Sequence, residues 1–208
     1  MNAEAAIVFV IDDNSAMRAS VESLLRSVGH AVQSFHSAQD FLAAERHDGP
    51  GCLVLDVRLP GLSGLEFQRE LIRMGAGLPI VFITGHGDVQ MSVAAMKAGA
   101  IEFITKPFRD KDLLDAVHKG LAMDGDRRQR TKAINQLRAR FETLTPRERE
   151  ILPLVASGLM NKQIAAALQL SEITVKVHRA QVMLKLQATS LADLVRMSDR
   201  ITEAGIRG

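Results

Sequence analysis

The chain has 208 residues, of which 47% are hydrophobic, and its formal net charge is +2. This length suits one large or two small domains, and the apolar content excludes a wholly disordered chain. No apolar run approaches the roughly 18 residues of a membrane span, and the N-terminus lacks the layout of a secretory signal. The single cysteine, Cys52, excludes an internal disulfide. We therefore expect a cytoplasmic protein without a membrane partner.

The first half of the chain alternates short apolar runs with segments of helical periodicity. The runs predict strands at 7–11, 31–35, 52–55, 80–84 and 101–105. The periodic segments predict helices at 17–28, 38–45, 64–74, 89–97 and 110–121. Strands that alternate with helices in this way form a parallel sheet covered on both faces, so the first half is predicted to be an α/β domain. Cys52 then lies beside a buried strand and is interpreted as a small core residue, not a nucleophile.

Chemically active side chains stand at the ends of four predicted strands. Asp12 and Asp13 follow the first strand, Asp56 ends the third, Thr84 ends the fourth and Lys106 follows the fifth. The carboxyl ends of parallel strands meet at one edge of the sheet, where ligands bind. Any one of these residues alone would be explained by a helix cap or a surface charge. Their recurrence at successive strand ends favours a common site.

Three neighbouring carboxylates repel one another, and a divalent cation would offset that repulsion. Mg²⁺ binds a few carboxylates together with waters and phosphate oxygens. A lysine and a threonine beside them suit phosphate oxygens as well. The residues therefore predict phosphoryl transfer onto a carboxylate, with Asp56 as the nucleophile.

Four segments resemble the receiver domain of bacterial two-component response regulators, over roughly residues 5–122. They are "VIDDN" (10–14), "LVLDVRLPGLSG" (53–64), "PIVFITGHGD" (79–88) and "AGAIEFITKPF" (98–108). The resemblance implies a five-stranded, flavodoxin-like doubly wound sheet and a sensor histidine kinase that phosphorylates Asp56. It also implies that Mg²⁺ or Mn²⁺ is held by Asp12, Asp13, Asp56 and the backbone carbonyl of Arg58.

The same resemblance assigns a conformational switch. Thr84 would hydrogen-bond the phosphoryl group, Lys106 would pair with it, and the Lys106–Pro107 peptide would be cis. Phe103 occupies the position of a switch aromatic that is often tyrosine in the family, and this chain has no tyrosine. Movement of Thr84 onto the phosphoryl group would open space for the Phe103 ring, so we expect a homodimer on phosphorylation.

The second half of the chain has a different charge. Residues 1–120 carry 11 Lys and Arg against 15 Asp and Glu, whereas residues 121–208 carry 15 against 9. A basic half favours a polyanionic partner, although a solvated basic surface would give the same count. Residues 123–141 are predicted to be a partly helical linker. Its apolar stripe, which includes Leu137, would form a dimer seam or pack on its own domain.

Helix-start signals then recur. Thr145 and Glu148 form a capping box, and Ser171 is a plausible N-cap for a basic helix over 172–186. A helix over 161–168 precedes it by about three residues, as in a helix-turn-helix motif, although any small helical bundle would share this periodicity.

Three segments of this half resemble the LuxR/FixJ-type DNA-binding domain: "LTPREREIL", "GLMNKQIAAALQLSEITVKVHRAQVMLKL" and "SLADLVRM". The resemblance implies an all-α helix-turn-helix domain at 142–208 whose helix 172–186 enters the major groove. The implied contacts to bases or nearby phosphates are Lys176, Val177 and Ala180, and those to the DNA backbone are Thr174, His178 and Arg179. Gln169 stands where the family often has glycine, which predicts a strained turn.

Together these features predict a response regulator that is phosphorylated on Asp56 and then binds double-stranded promoter DNA as a transcriptional regulator, with activation through RNA polymerase expected. It would not be an enzyme in the usual sense. Phe141 is the only aromatic residue after 121, which favours duplex DNA over single-stranded RNA. An aspartyl-phosphate hydrolase would need an acid two residues after the nucleophile, where this chain has Arg58. A sensor of a small ligand remains a further alternative.

Overall fold

The protein is described from a computed structural model that covers residues 5–45, 47–85 and 89–206. The chain divides into two compact units, Met1–Arg128 and Gln129–Gly208. Across the described ranges, no helix combines the length and the apolar character that crossing a membrane requires.

Within the described residues, the first unit contains five strands, each followed by a helix. The strands are β1 (Ile7–Ile11), β2 (Ala31–Phe35), β3 (Gly51–Asp56), β4 (Ile80–Thr84) and β5 (Glu102–Thr105). The helices are α1 (Ser15–Ser27), α2 (Ala38–Ala43), α3 (Gly64–Arg73), α4 (Val89–Lys97) and α5 (Asp110–Glu142).

The five strands form one all-parallel sheet in the order β2-β1-β3-β4-β5. This is the flavodoxin-like doubly wound order, which confirms the predicted fold class. The chain reverses its direction of winding between β1 and β3, where Ile11 pairs with Leu55. Residues that follow β1 and end β3 therefore meet at the position where such sheets bind ligands.

Each face of the sheet carries its own apolar core. On one face Val10 and Val54 pack with Leu25 of α1 and Val117 of α5. On the other face the strands pack against α2, α3 and α4, with Phe67 of α3 fully buried. Because neighbouring residues of a strand point to opposite faces, a strand buried on both sides is continuously apolar, as β3 is up to Asp56.

Helix α5 does not end near residue 121, as its apolar periodicity predicted, but continues through the predicted linker to Glu142. The reason lies in Asp124, which is fully buried. Its carboxylate accepts hydrogen bonds from the backbone N–H of Gly51 at 2.9 Å, from Arg127 and from Arg128. These contacts hold the helix against the start of β3 at the point where polar residues suggested a break.

The second unit is all-α in its described residues. It contains the end of α5, followed by α6 (Pro146–Ala156), α7 (Asn161–Leu168), α8 (Glu172–Leu186) and α9 (Leu191–Glu203). Leu137 and Phe141 of α5 are buried in its core together with residues of α6 to α9. The apolar stripe of the predicted linker thus packs within its own unit.

The predicted helix starts of this unit are confirmed. Thr145 and Glu148 make both hydrogen bonds of a capping box, and the Ser171 hydroxyl accepts from the backbone N–H of Thr174 at 3.1 Å. Gln169, between α7 and α8, has a φ of 54°. A left-handed conformation is unfavourable for a residue with a side chain, so the strain predicted for this turn is present.

Candidate functional site

Three carboxylates converge at the carboxyl ends of β1 and β3. Asp12 and Asp13 follow β1, Asp56 ends β3, and each offers one oxygen within 4.8 Å of the other two. Asp12 is fully buried and Asp56 is 7% exposed, whereas Asp13 faces solvent. The structure therefore brings together the three acids that the sequence placed at one sheet edge.

Lys106 joins two of these acids. Its ammonium donates to Asp12 Oδ2 at 2.8 Å and to Asp56 Oδ2 at 2.7 Å. Burial disfavours the charged lysine, but the two hydrogen bonds outweigh it, and the pKa of Lys106 is raised. Burial also raises the pKa of Asp12, and the contact with Lys106 offsets this only in part. One cation thus partly neutralises two buried acids.

Backbone groups hold the same acids in place. Asp56 Oδ1 accepts from the N–H of Arg58 at 3.0 Å, and Asp12 Oδ1 accepts from the N–H of Asn14 at 2.9 Å. The guanidinium of Arg18 donates to the carbonyl of Asp12 at 2.6 Å. The sequence reasoning missed Asn14 and Arg18. Asn14 could have been found as the N-cap of α1, but a contact to a backbone carbonyl leaves no sequence signal.

Close packing of α3 against β3 explains why the segment "LVLDVRLPGLSG" ends in a glycine, Gly64. The N–H of Gly64 donates to the carbonyl of Val57 at 2.9 Å, so α3 begins directly against the end of β3. A Cβ at this position would overlap the carbonyl oxygen of Asp56. The glycine therefore permits the close approach of helix and strand beside the acidic cluster.

Thr84 and Phe103, the predicted switch residues, lie on the neighbouring strands β4 and β5. Thr84 is fully buried and pairs in register with Thr105, and its carbonyl accepts from the N–H of Lys106 at 2.7 Å. Phe103 is half-buried, with its ring 6.1 Å from that of Phe82. The Lys106–Pro107 peptide is cis, as predicted. Residues 86–88 of the quoted segment lie outside the described residues.

The acidic cluster has the donor chemistry of a divalent cation site. Carboxylate oxygens are the ligands that Mg²⁺ and Mn²⁺ prefer, and one of the three acids is open to solvent, where waters or phosphate oxygens can complete the coordination. The residues present therefore fit a divalent metal. The role of the Arg58 carbonyl stays a prediction.

The second predicted site lies on α8. Val175, Val182 and Leu186 fix this helix in the core of the second unit. The predicted DNA-contacting residues lie away from that core: Lys176, Val177 and Ala180 are exposed, and Thr174, His178 and Arg179 are partly exposed. Arg179 also donates to Asn161 Oδ1 at 3.3 Å.

An ion pair that the sequence reasoning missed anchors α8 to α6. Lys185 Nζ donates to Glu148 Oε2 at 2.6 Å, and Glu148 is buried. Burial alone would raise the pKa of Glu148, but the hydrogen bonds from Lys185 and from the N–H of Thr145 outweigh it, and the pKa is lowered. The capping-box motif identified Glu148, but a contact across 37 residues of chain gives no local pattern.

Two family models match the chain. The one described as response regulator receiver domain matches residues 8–118, and the one described as bacterial regulatory proteins, luxR family, matches residues 142–198. The first range contains the acidic cluster and Lys106. The second contains α8 and its anchor on α6.

Known proteins resemble the chain over nearly its whole length. Nodulation protein W of Bradyrhizobium diazoefficiens is 55% identical over 94% of this chain and 86% of its own. The transcriptional regulatory protein FixJ of Azorhizobium caulinodans is 44% identical over 94% of this chain and 92% of its own. The structure of the response regulator StyR has a TM-score of 0.88 at 49% identity, and covers 94% of this chain and 99% of that one. The chain belongs to the two-component response regulators, as a transcriptional regulator that joins a receiver domain to a LuxR-type DNA-binding domain.

Proposed function

We propose that Asp56 is the phosphoacceptor and that its phosphorylation by a sensor histidine kinase controls DNA binding by the second unit. In this proposal the receiver domain spans 5–122 and the DNA-binding domain spans 142–208. The observation that carries it is the contact of the Lys106 ammonium with both Asp12 and Asp56 at the ends of adjacent strands. A cation placed beside a nucleophilic carboxylate suits the oxygens of an arriving phosphoryl group.

The transfer would take place at this edge of the sheet. A carboxylate oxygen of Asp56 attacks the phosphorus of a phosphohistidine, an oxygen–phosphorus bond forms, and the phosphorus–nitrogen bond breaks with its electron pair on the imidazole. Lys106 then pairs with a phosphoryl oxygen, and Thr84 hydrogen-bonds another. The hydrogen bond from the N–H of Arg58 keeps the Asp56 carboxylate oriented.

A Mg²⁺ ion, when bound, would neutralise phosphoryl charge during the transfer. Asp12, Asp13, Asp56 and the carbonyl of Arg58 would hold it. The same ligands would also hold Mn²⁺ in its place. The buried Asp12 contributes a fixed ligand, because Asn14 and Lys106 restrain its carboxylate. The exposed Asp13 contributes a ligand on the solvent side of the site.

Phosphorylation would favour a homodimer through the face that contains α4 and β5. Val89, Val93 and Met96 of α4 are exposed at helical spacing, which gives this face apolar area to bury. The phosphoryl group would contact Thr84 and Lys106 in only one of two conformations. In that conformation the Phe103 ring would move into the space that Thr84 leaves. A ligand with such unequal contacts shifts the population between the two states.

The dimer would bind promoter DNA with α8 in the major groove of each half-site. Lys176, Val177 and Ala180 would face bases or nearby phosphates, and Thr174, His178 and Arg179 would contact the DNA backbone. A pair of such helices gains affinity for a two-fold operator by effective concentration. The bound dimer would then activate transcription by recruiting RNA polymerase.

The phosphoacceptor assignment is tested by incubating the full-length protein with acetyl phosphate and Mg²⁺ and measuring the added phosphoryl mass. We expect one phosphoryl group on the wild type and none on Asp56→Asn. Asp13→Ala should slow the labelling strongly, because removing one of three carboxylates leaves too few hard ligands.

Asp40→Asn is the matched control, since Asp40 is an exposed acid of α2 outside the cluster, and its labelling should equal that of the wild type. Labelling that persists in Asp56→Asn would place the phosphoacceptor elsewhere. Unchanged labelling of Asp13→Ala across Mg²⁺ concentrations would show that the acidic cluster does not hold the metal.

A further inference from the structure

The solvent-facing side of α8 is largely apolar. Ile173, Val177 and Leu184 are 77%, 55% and 69% exposed. Ala180 and Gln181 are exposed on the same side. The five positions follow the i, i+4, i+7, i+8 and i+11 spacing of one helical face. A row of apolar side chains with one carboxamide therefore lies on the helix that would enter DNA.

Few basic side chains of α8 are available to contact DNA bases. Besides His178, the helix contains three basic side chains, and two of them already bind other residues of the same unit. Arg179 donates to Asn161, and Lys185 donates to the buried Glu148. Lys176 is the basic side chain of α8 that remains exposed. Recognition of guanine, which relies on Arg or Lys, is therefore limited to few positions.

The major groove offers a different chemistry for each base. Guanine presents two acceptors, adenine presents a donor beside an acceptor, and thymine presents an apolar methyl group. Glutamine matches the adenine edge with two hydrogen bonds, and apolar side chains match the thymine methyl. Single exposed apolar residues are ordinary on protein surfaces, but a row of them along a DNA-reading helix matches a groove lined by methyl groups.

We propose that α8 selects A·T base pairs, with Ile173 and Val177 packed against thymine methyl groups and Gln181 hydrogen-bonded to an adenine edge. The proposal rests on the proposed placement of α8 in the major groove. Ile173 and Gln181 lie about 12 Å apart along the helix axis, the length of roughly three to four base pairs. The small side chain of Ala180 lets the helix approach the base edges between them. Ile173 and Gln181 thus become specificity-determining residues.

The test begins with the full-length protein, activated with beryllofluoride and Mg²⁺, and a pool of random-sequence DNA duplexes. The duplexes retained after repeated selection define the half-site, which we expect to contain several consecutive A·T pairs. Each thymine of the selected duplex is then replaced by deoxyuridine, which lacks only the methyl group. Loss of one buried methyl contact should weaken binding about fourfold at the contacted thymines.

Variants assign the contacts to residues. In Val177→Ala and Ile173→Ala, deoxyuridine at the contacted thymine should cost little further affinity, because the methyl partner is already gone. Leu191→Ala, at an exposed apolar residue of α9, is the matched control and should keep the full deoxyuridine effect. Gln181→Arg should shift the preference at one position from adenine to guanine, by about tenfold in relative affinity.

Several results would overturn the proposal. They are half-sites rich in G·C pairs under α8, wild-type binding that is indifferent to deoxyuridine, and an unaltered base preference in Gln181→Arg. Binding of every duplex with equal affinity would also refute it, while leaving DNA binding itself intact. Failure to retain any duplex would refute the proposed DNA-binding function as well.

Discussion

At the scale of single residues, one lysine and two backbone N–H groups compensate the negative charge of Asp56 and its neighbour Asp12. Asp12 and Asp56 share the Lys106 ammonium, and backbone N–H groups satisfy one further oxygen of each acid. Removal of Lys106 would leave two nearly buried carboxylates without their cation, and an unpaired buried charge is costly. The same lysine therefore holds the two acids in the unphosphorylated protein, and in the proposed function it becomes a phosphoryl ligand.

Gln169 gives a residue-scale prediction about stability. Its left-handed backbone, with φ at 54°, costs energy for a residue with a side chain, whereas glycine adopts it freely. We expect Gln169→Gly to stabilise the second unit by about 1 kcal/mol after the entropy cost of glycine in the unfolded chain. In differential scanning calorimetry its melting temperature should rise by roughly 4 °C.

Gln136→Gly is the matched control for this stability prediction. Gln136 is an exposed glutamine inside α5, where glycine costs about 1 kcal/mol, so this variant should melt at a lower temperature. A lower melting temperature for Gln169→Gly as well would show that the turn carries no strain that glycine can relieve.

At the scale of elements, Asp124 joins α5 to the sheet at the end opposite the acidic cluster. Its carboxylate binds the N–H of Gly51 at the start of β3, and Arg127 and Arg128 surround it. Arg128 also donates to the carbonyl of Asp48 at 2.5 Å. Burial would raise the pKa of Asp124, but these donors outweigh it and the pKa is lowered below its ordinary value.

This lowered pKa predicts how stability depends on pH. The unfolded chain binds the Asp124 proton more readily than the folded protein, so the stabilisation is complete at neutral pH. It declines as the pH falls through the ordinary aspartate value of about 4 and is lost below the lowered folded value. We expect Asp124→Asn to reduce the free energy of unfolding by about 2 kcal/mol at neutral pH. Urea unfolding at several pH values should show this deficit shrinking toward pH 3.

The control for the pH prediction is Asp126→Asn. Asp126 lies on the same helix but is exposed, so its replacement should change the stability little at any pH. A deficit for Asp124→Asn that stays constant down to pH 3 would contradict the role assigned to the ionised carboxylate.

Element boundaries show where sequence reasoning succeeds and where it fails. Apolar runs and periodicity located all five strands and the starts of the helices, because these patterns are local. The end of α5 was predicted about twenty residues too early, because Gly125 and the charged residues around it are typical of a linker. The contact of Asp124 with Gly51 spans 73 residues of chain, and no local pattern contains it.

The same distinction holds for the sites. We could predict that Asp12, Asp56 and Lys106 lie together, because the carboxyl ends of parallel strands meet at one edge of the sheet. The pair formed by Glu148 and Lys185 could not be predicted in that way, since helix packing brings it together and no comparable rule applies. Sequence therefore predicted which acids and which lysine lie together at the sheet edge, but it did not predict the contact that anchors α8.

At the scale of the whole molecule, the proposed function links a phosphoryl group on the first unit to DNA bound by the second. In that proposal the link is dimerisation, because two receivers that associate would bring two α8 helices to one operator. Moving a two-state equilibrium from 1:99 to 99:1 takes about 5.5 kcal/mol. The proposed charge-assisted hydrogen bonds from Lys106 and Thr84 to the phosphoryl group, together with a metal bridge, would be of that order.

The most direct measurement of this central claim is the affinity of the full-length protein for a selected duplex, with and without beryllofluoride and Mg²⁺, combined with its mass by sedimentation. We expect beryllofluoride to convert the wild type to a dimer and to tighten DNA binding at least tenfold, and we expect Asp56→Asn to respond in neither assay. An equal affinity and an unchanged monomer mass in the wild type under both conditions would contradict it.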